Sequence, residues 1–166
     1  NGNIYITGDL TYEDPPCTGM PERNGNSVTP ASCNNMNARN ILGVFTPQDD
    51  IIIGTDPSIA GRKAPENVVI QGSLMAGDGV VTVEDFESVS DQGNVNLLGG
   101  IIEKKYGGFF TFNQSGVRTT GYGRRFTFDQ RMGSGYSPPF FPGTSPSDVQ
   151  AVFIYGFGQR EQVVWD

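Results

Sequence analysis

The sequence predicts an all-β protein of the β-solenoid, parallel β-helix-like class, with rungs of about 27 residues and a β-hairpin at its C-terminal end. Three observations carry this expectation. One phrase occurs three times: an Asn, apolar residues at +1 and +3, Gly at +5 and an apolar residue at +7, beginning at Asn3, Asn67 and Asn94. A weaker copy starts at Asn40, so that Asn40, Asn67 and Asn94 stand 27 residues apart. Finally, no segment has helical periodicity; short alternating or β-branched runs are interrupted by Gly or Pro throughout.

A repeat that cannot bury its own apolar face must stack on its neighbour. In register, Ile4, Val68 and Val95 are expected to form one column, with Ile41 as a fourth member. Ile6, Ile70 and Leu97 form a second, and Leu10, Leu74 and Ile101 a third. Asn3, Asn40, Asn67 and Asn94 would line a corner, their amides bonding to the next rung. Gly99 and Gly100 mark a corner where a Cβ would clash. A further step of 27 lands on Gly121, ahead of the strand-like run Arg124–Phe128. The alternative is a β-sandwich whose strands are alike by chance.

In chain order, the first repeat is longer than the others, and the excess falls around Cys17 and Cys33 in a loop rich in Pro, Asn, Ser and Thr. A bridge between them would contribute roughly 3 kcal/mol by chain entropy and suits an exported protein. Gly54 to Pro65 reads as a loop, Asp78-Gly79 as a turn before Val80–Val83, Gly107–Asn113 as a strand after a glycine turn, and 114–121 as another loop. Residues 1–132 form the expected solenoid domain with the Cys17–Cys33 insertion. From 133 to 166 the texture is Pro/Phe-rich, followed by two strands, Val149–Tyr155 and Gln162–Trp165; these cap the solenoid or join a neighbouring sheet.

The 166 residues suffice for one domain with a core, and the first residue, Asn1, suggests a piece of a longer precursor. High Gly (23) and Pro (11) would fit disorder, but eleven Phe and six Tyr supply apolar area that opposes it. The net charge of −7 disfavours general affinity for nucleic acid. No histidine is present, which removes the usual general base and His-based metal sites. No apolar run is long enough for a transmembrane helix.

Two constellations have side chains suited to chemistry. The acidic residues Asp49, Asp50, Glu84, Asp85, Glu87 and Asp91 are candidates for a carbohydrate-active pair or for Ca²⁺. Neighbouring strand residues point to opposite faces, and no calcium-loop spacing occurs, so they read as solvated turns; no catalytic residue, metal or cofactor is assigned. The basic pairs Lys104-Lys105 and Arg124-Arg125 stand beside aromatics and are the candidate nucleic-acid contact, if they share a face. Arg62-Lys63 reads as solvated loop charge.

The runs Gly2–Tyr12, Leu42–Phe45, Asn94–Ile102 and Arg125–Met132, with Pro138–Pro142, resemble the C-terminal part of large PilX-like, competence-associated bacterial minor pilins. The resemblance implies a β-solenoid inserted in a pilin-like sheet, an N-terminal anchoring helix that this chain lacks, and DNA capture at a pilus tip. It carries no catalytic residue. The expected function is therefore a non-enzymatic, extracellular or cell-surface solenoid domain. Other pilin or envelope subunits and DNA are its candidate partners, and no free small-molecule substrate is expected. The alternatives are a carbohydrate-active or carbohydrate-binding β-helix and a structural envelope protein.

Overall fold

The computed structural model describes residues 2–19, 22–24, 27–29, 31–135 and 137–138. The expected strands at Val149–Tyr155 and Gln162–Trp165, and most of the Pro/Phe-rich segment, lie outside these residues.

The described chain is all-β, with no α-helix among its residues. Its strands are β1 (Ile4–Ile6), β2 (Glu22–Asn24), β3 (Ser27–Thr29), β4 (Gly43–Thr46), β5 (Ile51–Ile53), β6 (Val69–Ala76), β7 (Val81–Val83), β8 (Asn94–Glu103), β9 (Phe110–Phe112), β10 (Arg118–Gly121) and β11 (Gly123–Phe128). Two parallel sheets dominate, β1-β5-β7 and β11-β8-β6-β4. From β4 to β8 the chain passes from one sheet to the other and back, each pass laying a strand beside the one before.

Alternation along the strands builds one core between the sheets. Ile51, Ile53, Val81 and Val83 come from one sheet, and Ile70, Leu74 and Leu97 from the other, all essentially inaccessible to solvent. Each such side chain contributes roughly 1.5–3 kcal/mol on burial. The β6–β8 register matches the 27-residue spacing: Ile70 faces Leu97 and Leu74 faces Ile101.

Elsewhere the fixed spacing is corrected. Gly43 pairs with Ser73 and Ile51 with Val81, steps of 30, so neither Ile41 nor Asn40 aligns with the phrase at Asn67. Gly123, not Gly121, faces Asn94. Ile4 and Ile6 pair with Ile51 and Ile53 in the other sheet, and Leu10 bridges to Ile70 rather than to Leu74. The third copy of the phrase is thus divided between two sheets. The Asp78-Gly79 turn carries the chain from one sheet to the other. Within 114–121, Arg118–Gly121 is strand β10, antiparallel to β9.

The glycine corner lies inside a continuous strand. Gly72 and Gly99 are register partners with φ of +154° and +150°, and a Cβ on Gly99 would stand 1.9 Å from the Gly72 carbonyl oxygen. Only glycine fits such a backbone at this spacing. Side chains then stitch corners together. Asn67, at φ 56°, accepts the Asn94 N–H through Oδ1 at 3.1 Å, and Asn96 Nδ2 donates to the Asn67 carbonyl at 2.9 Å. Asn3 Oδ1 accepts from Asp50 N–H at 3.1 Å. Asn40 does not join this ladder, because its segment is shifted by three residues.

Cys17 and Cys33 are disulfide-bonded. Their excursion leaves the edge of β6 at one point and returns to it. Leu10 bonds to Val69 and Gln71, and Ser73 N–H bonds to the Leu42 carbonyl, so residues 12–41 interrupt a single strand-like edge opposite Gly72.

Candidate interaction surface

The acidic residues are largely occupied by backbone. Asp50 Oδ1 accepts Val80 N–H at 2.9 Å, Asp9 Oδ1 accepts Val69 N–H at 2.8 Å, and Glu103 Oε2 accepts Val81 N–H at 2.7 Å. Glu84 accepts the N–H groups of Thr55 and Asp56 and pairs with Arg62 at 2.6 Å. These carboxylates satisfy strand ends and loop amides that would otherwise lack partners. Asp91 pairs with Arg118 at 2.8 Å. Partial burial raises its pKa, but the Arg118 hydrogen bond and the Gly93 N–H outweigh that and hold it below the ordinary carboxylate value. Asp85, at φ 46°, and Glu87 remain exposed. No cluster of three or more metal-ligating side chains occurs among the described residues.

The four basic residues are not displayed on one face. Lys104 pairs with Asp78 across the surface, and Lys105 is exposed. Arg124 and Arg125 are consecutive in β11 and leave it on opposite faces. Arg124 lies over the rings of Phe109 at 4.2 Å and Tyr106 at 4.4 Å, bonds the Tyr106 hydroxyl, and donates to the Gly107 carbonyl at 2.9 Å. Its charge is spent on aromatic faces and a carbonyl. Arg125 and Lys105 are left as the pair more open to a ligand.

Two features were hidden from sequence reasoning. Arg62, read as solvated loop charge, is an anchor: besides its bond to Glu84 it stacks on the Tyr5 ring at 4.0 Å. Tyr5, Ile52 and Thr82 are register partners on the outward face of β1-β5-β7, and they floor a concavity of about 530 Å³ walled by residues 83–88. The outward alternation of Tyr5 was the available signal.

The second feature is a polar clamp at the neck of the excursion. Asp129 and Arg131 are 1 % exposed and bonded to each other at 2.6 Å. Arg131 also donates to the Ala38 carbonyl at 2.6 Å and lies over the Tyr12 ring at 5.5 Å. Tyr12 N–H donates to Gln71 Oε1 at 2.5 Å, and its hydroxyl accepts the Leu42 N–H at 3.2 Å. Desolvation, first among several influences, raises the Tyr12 pKa. The outward face of the larger sheet is covered here: Gln71 takes the Tyr12 N–H and Ser73 Oγ bonds Met132 Sδ at 3.4 Å, and both are buried despite pointing away from the core.

No helix among the described residues is long and apolar enough to cross a membrane. No family model, curated protein or solved structure matches the chain.

Proposed function

We propose that this chain is a β-solenoid domain of an exported, non-enzymatic surface protein of the minor-pilin type, presenting a rigid face for assembly contacts. The alternate passage of the chain between two parallel sheets, with steps of 27 to 30 residues, is the observation that supports it. The disulfide supports an oxidising compartment. The use of Asp9, Asp50, Glu84 and Glu103 as backbone acceptors supports a structural over a catalytic role for the acidic residues. Other envelope or pilus subunits are the proposed partners. DNA is a candidate ligand through Lys104, Lys105, Arg124 and Arg125, with Lys105 and Arg125 the more available.

The test has two parts. The reading frame upstream of Asn1 should encode a pilin-type cleavage site and hydrophobic helix; an unrelated upstream domain overturns the pilin assignment. The intact protein should retain DNA in a salt-dependent way, and Glu at the four basic positions should abolish retention. No retention by the intact protein removes DNA from the proposal.

The concavity over Tyr5, Ile52 and Thr82 favours a second reading, a carbohydrate-binding β-helix. An aromatic ring beside Arg62 and exposed carboxylates is suitable chemistry for hydroxyl-rich ligands. Polysaccharide turnover lost on substitution of Asp85 or Asp91 would make it an enzyme; retention without turnover, lost in Tyr5→Ala, would make it a binder.

A further inference from the structure

We infer that the β9–β10 ribbon is a membrane-contact element, and that its partner is the surface of a bilayer carrying anionic lipid. The inference goes beyond the assembly role proposed above and stands without it.

β9 and β10 form a two-stranded sheet apart from the two main ones, joined by a turn at 113–117. Among the described residues, the three most exposed large apolar side chains all come from this stretch. Tyr106 is 73 % exposed, Phe112 61 % and Val117 59 %, against 45 % for the next, Ile59. The base of the ribbon is fixed. Phe109 and Tyr122 are buried in the core, and the Tyr122 N–H donates to the Phe109 carbonyl at 2.8 Å. Phe110, packed against the core, braces the Phe112 ring at 4.9 Å. A firm support therefore holds Phe112 and Val117 in water.

The state of the polar groups points to a bilayer. In the turn, the N–H groups of Ser115 and Val117 both donate to Asn113 Oδ1 at 3.0 Å. Gly116 N–H donates to the Asn113 carbonyl, and Asn113 N–H to the Val117 carbonyl, each at 2.9 Å. The hydroxyls of Thr111 and Thr120 bond each other at 2.6 Å, and Thr119 Oγ1 donates to the Thr111 carbonyl at 3.4 Å. A tip whose amides are paired within itself can leave water without orphaning them. Residues 113–117 bear no charge. Arg118, the register partner of Phe112, commits its guanidinium to Asp91 and Asn94.

Charge supplies the second requirement. Residues 104–128 hold five basic side chains and no acidic one, in a chain of net −7. Asp78 and Asp91 offset Lys104 and Arg118, which leaves an excess on Lys105, Arg124 and Arg125, flanking the ribbon in sequence. The strand from Phe109 to Asn113 spans roughly 13 Å. With the base at the headgroups, the tip reaches the depth of about 5–10 Å at which interfacial segments bury apolar side chains. The basic residues then stand at the level of lipid phosphate.

Cosedimentation of the full chain with vesicles tests this. Binding to mixed phosphatidylcholine and phosphatidylglycerol should exceed binding to phosphatidylcholine alone by on the order of tenfold, and should fall as salt rises. Phe112→Ser with Val117→Ser should weaken it by on the order of tenfold or more. A polarity-sensitive dye on Val117→Cys should shift to the blue on binding, and the same dye on Ile59→Cys should not. Cys17 and Cys33 are bonded to each other, so the dye reports the new thiol alone. The labelled variants keep Phe112, so a folding defect in the double serine variant does not decide the result. No binding to either vesicle overturns the inference. So does binding with the dye at 117 unmoved, which is charge attraction alone. Lipid-free association that the serine variant loses also overturns it, and gives the tip to a second copy of this chain.

Discussion

The phrase that begins at Asn67 and Asn94 and the one that begins at Asn3 have the same pattern of residue types and different structures. In the first two, the whole phrase falls in or beside one long strand, β6 or β8, and the pair is in register from Val69/Asn96 to Ala76/Glu103. In the third, Ile4–Ile6 joins the other sheet, and only Leu10 reaches β6, where the excursion at residues 12–41 then leaves. Alternation and a corner glycine therefore specify which side chains point inward, but not which sheet receives them. A neighbour on each side fixes β6. Among the described residues β1 has a neighbour strand on one side only, so its placement follows from what β5 offers.

Breaking the clamp that holds the irregular coil should have the largest effect. Arg131→Met leaves Asp129 buried without its partner, and urea unfolding should show a loss of about 3–5 kcal/mol. The double change Asp129→Leu/Arg131→Met should cost less than Arg131→Met alone. A double-variant cost equal to the sum of the two single-variant costs would mean that the pair is not coupled.

The glycines at +5 sharpen the contrast directly. Gly99→Ala meets the Gly72 carbonyl oxygen and a φ of +150°, and should cost about 3 kcal/mol or more. A Cβ on Gly8 meets nothing within 4 Å, so Gly8→Ala should stay within about 0.5 kcal/mol. Equal penalties would show that the phrase at Asn3 is folded like the others.

Tyr122 tests the regular half by pH. Its hydroxyl donates to the carbonyls of Ala64 and Pro65, and burial, aided by Glu66, pushes its pKa up to about 12. The folded state holds this proton more tightly than the unfolded state. The resulting stability is complete below pH 10 and is lost as pH rises toward 12, by about 2–3 kcal/mol. Tyr122→Phe should flatten that slope in thermal melts across this range; an unchanged slope assigns the loss to other groups.

The corner asparagines should give the smallest difference. Asn67→Ala loses both the side-chain acceptor for Asn94 and a residue suited to φ 56°, and should cost about 1–2 kcal/mol. Asn3→Ala loses one exposed bond and should cost about 0.5 kcal/mol. Chemical denaturation of the two variants side by side decides it.

Much of the regular half was legible. The pairs Ile70/Leu97 and Leu74/Ile101 follow from a repeated phrase at fixed spacing, because an amphipathic strand with a glycine corner has few ways to stack on its copy. The cysteine pair was legible from its surroundings. The basic stripe was not. Two adjacent arginines in a strand point apart, and the aromatics beside Arg124 take up its charge instead of exposing it. Arg62 escaped notice because its partners, Tyr5 and Glu84, are distant in sequence.

By itself the sequence determined the all-β class, the inward residues of β6 and β8, the glycine bend and the cross-linked excursion. These depend on local alternation, backbone freedom and short-range repetition, all of which are written in consecutive residues. Only the tertiary structure decided that Ile4 pairs with Ile51, that the excursion interrupts one edge opposite Gly72, and that Asp129 and Arg131 seal its neck. Those choices depend on which apolar surface and which unpaired backbone groups each segment meets when the chain closes, and that competition is settled between residues far apart in sequence.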